Sequence, residues 1–171
     1  MFGGVAEAVV LSGRLDLSHG DLDLLTPRTQ VEHRIEQLGE FGFAPFEVLY
    51  EPRPGLPLVY GSTRDDLAVE LSVLDYDSTG MPYFALPADT AVVAVAMPTS
   101  VFEWPPTIVG GVRIHTLSPL ALIQIRAGGM TTGAFGPTRS QDTTRQARLI
   151  EKFFPDSEPT SLEPQIGTIG P

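Results

Sequence analysis

The sequence predicts an α+β fold, a mixed β-sheet flanked by helices and followed by two C-terminal helices, and three observations predict it. A short apolar helix pattern after Gly4 runs into a strand pattern that carries two aspartates. Segments with strand and helix character then alternate as far as Thr116. The stretch from Ser118 to Pro155 holds two helix patterns in succession, separated by a Gly-rich loop.

The elements follow in order. Val5 to Leu11 has helical composition and no breaker until Ser12-Gly13. Asp21-Leu22-Asp23-Leu24-Leu25 reads as a strand, and because side chains alternate faces with period two, Asp21 and Asp23 share a face. Thr26-Pro27 is an N-cap and N1 pair for a helix of about three turns in which Val31, Ile35 and Leu38 recur at helical spacing until Gly39 and Gly42. Phe46 to Tyr50 predicts a strand, Glu51 to Pro57 a proline-rich turn, and Leu67 to Leu74 a half-buried strand on which Glu70 shares a face with Ser72 and Leu74. Two more strands are expected between Tyr83 and Met97. Trp104-Pro105-Pro106 is a rigid bend, and Ile108 to Thr116 a short strand interrupted by Gly110-Gly111. Ser118-Pro119 caps a helix ending at Arg126, and Ser140-Gln141-Asp142 starts another that Pro155 closes; both are expected to be amphipathic. Phe41, Phe43, Phe46, Tyr50, Phe153 and Phe154 are expected in the core. These elements make one domain over residues 1–154, and residues 155–171, rich in Pro, Ser, Gly and Thr, an extended or mobile tail.

Composition narrows the function. With 42% hydrophobic residues the chain describes a globular protein, and no apolar run approaches the roughly 18 residues that would span a membrane. The N-terminus lacks a basic region and carries Glu7 inside its apolar stretch, which argues against a signal peptide and for a cytoplasmic location without a membrane partner. There is no cysteine, hence no disulfide, thiolate metal site or cysteine nucleophile. A net charge of −10 opposes nucleic acid as a partner and attracts a cationic one. His19, His33 and His115 share no zinc-ligand spacing, and no Gly-x-Ser-x-Gly elbow supports a hydrolase.

Chemistry concentrates at the N-terminus. Two carboxylates on one strand face can hold Mg²⁺, a hard cation that takes oxygen ligands and leaves positions for phosphate. Gly3-Gly4, seventeen positions before Asp21 in the case of Gly4, would let backbone approach phosphate closely at a helix N-terminus. Glu70 is the candidate third carboxylate.

Phe2-Gly3-Gly4, Gly13-Arg14, His19 and Asp21-Leu22-Asp23-Leu24 together resemble the opening of the lincosamide and aminoglycoside adenylyltransferases, within the superfamily of nucleotidyltransferases similar to DNA polymerase beta. Val69 through Tyr83 is similar to the segment carrying the third acid, with Glu70-Leu71-Ser72 where many relatives have Asp-Leu-His. The helix ending in Arg126, followed by Arg139-x-x-Asp142, resembles the end of those catalytic domains, Arg126 standing at a lysine position. Relatives usually carry a helix and the start of a strand before the turn, where this chain has Met1-Phe2, and Leu17 stands where they have a second arginine.

The resemblance implies Mg²⁺-dependent transfer of a nucleotidyl group, AMP from ATP, to a hydroxyl of a small acceptor such as an antibiotic. In it Asp21, Asp23 and Glu70 are the catalytic and metal-binding residues, Gly3, Gly4, Arg14 and Arg126 meet the nucleotide, and His19 shapes the turn before the acids. Asp142 would brace the two C-terminal helices against Arg126 or Arg139. The alternative is a catalytically degenerate module of the same fold used for binding or regulation, as in a toxin–antitoxin pair; either form is compatible with an oligomer.

Overall fold

The computed structural model describes residues 1–16, 20–87, 92–132, 140–157 and 166–169. A mixed seven-stranded sheet is built from β1 (Asp21–Pro27), β2 (Glu47–Tyr50), β3 (Val59–Arg64), β4 (Leu67–Tyr76), β5 (Pro82–Pro87), β6 (Val92–Ala96) and β9 (Ile166–Ile169). The order is β2-β3-β4-β5-β6-β9, with β1 laid beside β4. The β1–β4 pair is parallel and the other pairs are antiparallel. A separate hairpin, β7 (Thr107–Val109) and β8 (Val112–Ile114), and the helices α1 (Gly3–Ser12), α2 (Val31–Glu40), α3 (Pro119–Thr132) and α4 (Ser140–Phe153) complete it.

One sheet face carries the main core. Phe2, Ala6 and Val10 of the α1 segment, Leu122 and Ile125 of α3 and Leu149 of α4 pack with Leu74, Phe84 and Val95, and Leu25 of β1 joins them. Burying such side chains, worth about 25 cal/mol per Å² of apolar surface, is what chiefly holds the helices to the sheet. Helix α2 covers the opposite face, where Leu38 overhangs Leu24 and Leu71 around a cavity of about 590 Å³.

Strand β4 is buried on both faces: Val69, Leu71 and Val73 are each 1% exposed, and Ser72 and Leu74 are buried on the side of Glu70. The half-buried strand expected there is corrected, since helices cover both sides. Thr26-Pro27 does not cap a helix. Pro27 is extended at φ −56°, ψ 140° and ends β1, and a single 3₁₀ turn over Arg28–Gln30 leads into α2. Arg28 fastens that corner by pairing through Nε and NH2 with Asp75 of β4 at 2.6–3.1 Å and donating to the Pro57 carbonyl.

Other departures have equally local causes. Gly110-Gly111, both at positive φ, turn the expected interrupted strand into the β7–β8 hairpin. Helix α3 runs past Arg126, its glycines Gly128 and Gly129 buried rather than looped, so Arg126 lies mid-helix. It is a core helix with Ala121, Leu122, Ile123 and Ile125 all buried, not an amphipathic one; α4 has the amphipathic pattern expected. Ser118 caps α3 through its Oγ to the Ala121 N–H at 3.3 Å. Phe41 is 66% exposed rather than in the core, whereas Phe153 and Phe154 pack against it. Within the tail, Ile166–Ile169 is extended and pairs antiparallel with β6. No described helix is long and apolar enough to cross a membrane.

Candidate active site

The parallel β1–β4 register sets Asp23 directly beside Glu70 and Asp21 beside Ala68. Neighbouring strands lie about 4.8 Å apart, and alternation puts all three carboxylates on one sheet face. The same face supplies Leu25 and Leu74 to the core further along the two strands. One strip of sheet is thus polar where α1 begins and apolar where the helices close over it.

Helix α1 starts against the acids. Phe2 is extended and donates its N–H to the Asp23 carbonyl at 3.0 Å, no side chain caps the helix, and its first turn holds no acidic residue. Gly3 has φ +71°, and a Cβ there would stand 1.8 Å from Asp23 Oδ2. Both facts demand glycine, so the carboxylate rests against bare backbone at a helix N-terminus whose N–H groups and dipole favour anions.

The electrostatics are those of partly buried anions that share one sheet face. Burial, then the charges of Asp21 and Glu70, push the Asp23 pKa up to about 7, and the charge of Arg126 acts against them. Burial and Asp21 also raise Glu70. Among the described residues no three His, Asp or Glu side chains converge closely enough to enclose an ion. The donor set is all oxygen, which suits a hard divalent ion.

One turn down α1 from Gly3, Glu7 is 1% exposed. Its Oε1 accepts from Arg126 Nε at 2.6 Å, and Arg126 NH1 lies 3.1 Å from Asp142 Oδ1, tying α1, α3 and α4 together. The Asp142 brace is therefore present. Glu7 Oε2 is buried with no hydrogen-bond partner among the described residues, and burial, ahead of the opposing Arg126 contact, raises the Glu7 pKa. In the sequence Glu7 counts only against a signal peptide. A signal for its pairing is nonetheless present there, since a lone carboxylate within an apolar helix must find a buried cation. Lys152 Nζ secures the other end of α1, donating to the Val10 and Leu11 carbonyls at 3.1 and 2.9 Å.

Of the residues expected at the nucleotide, Gly3, Gly4 and Arg126 lie by the acids, whereas Arg14 is exposed past the far end of α1, about 16 Å from Gly3 by helical rise. His19 and Arg139 lie outside the described residues. His33 is exposed on α2, and His115 follows β8 rather than lying in a strand.

On the other side of Glu70 the row continues across the sheet. Gly61 of β3 is its register partner, and Glu47 of β2 is the partner of Gly61. A Cβ on Gly61 would come within 2.4 Å of the Leu49 side chain, so the missing side chain lets Leu49 fold over β3. A cavity of about 330 Å³ opens there, bounded by Glu47, Leu49, Gly61 and Glu70.

No protein-family model and no curated protein sequence matches the chain. Its fold is similar to the crystal structure of the lincosamide antibiotic adenylyltransferase LnuA with lincomycin bound, at a TM-score of 0.56 and 16% identity over 86% of this chain and 82% of that one. At that identity the likeness shows a nucleotidyltransferase-like fold.

Proposed function

We propose that the protein transfers a nucleotidyl group, AMP from ATP, to a hydroxyl of a small acceptor in a Mg²⁺-dependent reaction. The observation that carries this reading is the register of Asp23 against Glu70 beside the open N-terminus of α1, in a fold similar to that of LnuA, the lincosamide antibiotic adenylyltransferase.

Asp21, Asp23 and Glu70 would hold Mg²⁺, which when bound neutralises charge on the phosphates and on the departing pyrophosphate. The Gly3-Gly4 backbone cradles the triphosphate, with Arg126 beside the acids; Arg14 stands past the far end of α1, away from them. The acceptor enters by the cavity over Gly61, its hydroxyl at Glu70 and any positive group toward Glu47. Glu70, its pKa raised, takes the hydroxyl proton as the oxygen forms its bond to the α-phosphorus and the bond to pyrophosphate breaks.

Incubation with α-labelled ATP and a panel of hydroxylated amines, with and without Mg²⁺, tests this. Label should pass to an acceptor only with Mg²⁺, and Asp23→Ala should lower the rate about a thousandfold or more. Unchanged transfer in Asp23→Ala, or none to any acceptor, overturns it.

A further inference from the structure

Glu7 is a buried carboxylate that the proposed reaction does not use. Removing a charge from water is costly even when it is paired, and an apolar side chain of similar size would usually serve a core helix at least as well. Yet Glu7 is 1% exposed, with one oxygen that has no partner among the described residues, in a helix whose neighbours Val5, Ala6, Ala8 and Val9 are all buried and apolar. Packing alone gives no reason for it.

Its position does. Glu7 stands four residues after Gly3, which puts the two on one face of α1, and Gly3 is the residue against which the Asp23 carboxylate rests. The charges of Glu7 and of Arg126 both reach Asp23. Arg126 is a long side chain with a permanent charge that acts on Asp23, one of three carboxylates on the same sheet face. Nothing in its chemistry would keep it from them. What occupies it instead is Glu7 through Nε and Asp142 through NH1.

We propose that Glu7, with Asp142, is a positioning residue that restrains Arg126 from the Asp21–Asp23–Glu70 row and so keeps that row open for a divalent cation. The inference rests on the metal-binding reading above and adds the device that makes the row available. Two acceptors on separate helices outcompete the acids for one guanidinium. If the inner one loses its charge, Arg126 turns to Asp23, supplies the positive charge from within the protein and blocks the metal position.

Mn²⁺ binding to the whole protein without nucleotide, followed by calorimetry and by electron paramagnetic resonance, tests this apart from activity, with thermal melting as the control for folding. Wild type should bind and Asp23→Asn should not. Glu7→Gln, which keeps the shape and an acceptor oxygen, should weaken Mn²⁺ about tenfold, a size consistent with one charge acting across a partly screened site. Glu7→Gln/Arg126→Gln should restore wild-type affinity, because the competing cation is gone. A merely structural role for Glu7 would gain nothing from losing Arg126 as well. Asp142→Asn, which is nearer the surface, should act in the same direction more weakly and serves where Glu7→Gln does not fold. Wild-type affinity in both single variants, or no restoration in the double variant, overturns the inference and leaves the metal reading standing. No Mn²⁺ binding by wild type overturns both.

Discussion

Glu7 lies one helical turn beyond the Gly3 that Asp23 rests against; both are carboxylates taken largely out of water, and their surroundings are opposite. Glu7 has a guanidinium at 2.6 Å; Asp23 has two further carboxylates on its sheet face and a glycine backbone against its oxygens. Burial raises both pKa values, but at Glu7 the next influence is the stabilising bond to Arg126, and at Asp23 it is repulsion from Asp21. The first charge is answered within the protein. The second has no ion pair among the described residues, and it lies behind the glycine turn to which the proposed function assigns the metal and the triphosphate.

The largest break in this contrast should come from Gly3→Ala. Its Cβ would displace Asp23 Oδ2, and the left-handed backbone alone costs about 1–2 kcal/mol. Gly13 has a similar φ of +67° with nothing within 4 Å, so Gly13→Ala should incur only the backbone cost. Denaturant melts and Mn²⁺ titration of the two variants should show both destabilised and only Gly3→Ala losing the metal. Equal metal binding would separate Gly3 from the site.

A smaller effect should appear with pH. Because the folded-state pKa of Asp23 is raised to about 7 from 3.8, the native protein holds that proton more tightly than the unfolded chain. Native stability therefore falls as pH rises from about 4 to about 7, and the loss is complete above that. In a chelator, Asp23→Asn should melt higher than wild type at pH 8 and close to it at pH 4. Mg²⁺ should raise the melting point of wild type at pH 8 and leave the variant unmoved. The smallest effect belongs to Arg28, whose pair with Asp75 is 34% and 21% exposed. Arg28→Ala should cost about 1 kcal/mol in a denaturant melt, since solvent screens the pair, and leave Mn²⁺ affinity intact.

What could be read from the chain was whatever depends on near neighbours. Alternation put Asp21 and Asp23 on one face, and a breaker-free run after Gly4 gave α1. What could not be read was register. Glu70 stands out on its own strand, but that it lies opposite Asp23 is a property of the β1–β4 pairing, and the Glu7–Arg126 bond joins residues 119 positions apart. Strand β3 leaves no clear alternation in the sequence because Gly61 breaks its pattern, and that same glycine borders the hollow beside Glu70. Gly110-Gly111 interrupts the strand pattern, and two glycines also make a tight reversal. Gly128-Gly129 suggested a loop, yet burial against neighbouring helices outweighs the roughly 1 kcal/mol that each glycine costs a helix.

The parallel pairing of β1 with β4 carries one more consequence, for how the molecule comes into being. Strands β3 and β4, or β5 and β6, meet across short connections, but β1 reaches its partner only after the chain has made α2, β2 and β3 and returned. Closing so long a connection carries an entropic cost that local hairpins escape, and contacts distant in sequence tend to form late. Asp23 and Glu70 should therefore meet near the end of folding. In refolding followed by Mn²⁺ capture, metal uptake should track the slowest phase, making the site a marker of the completed fold.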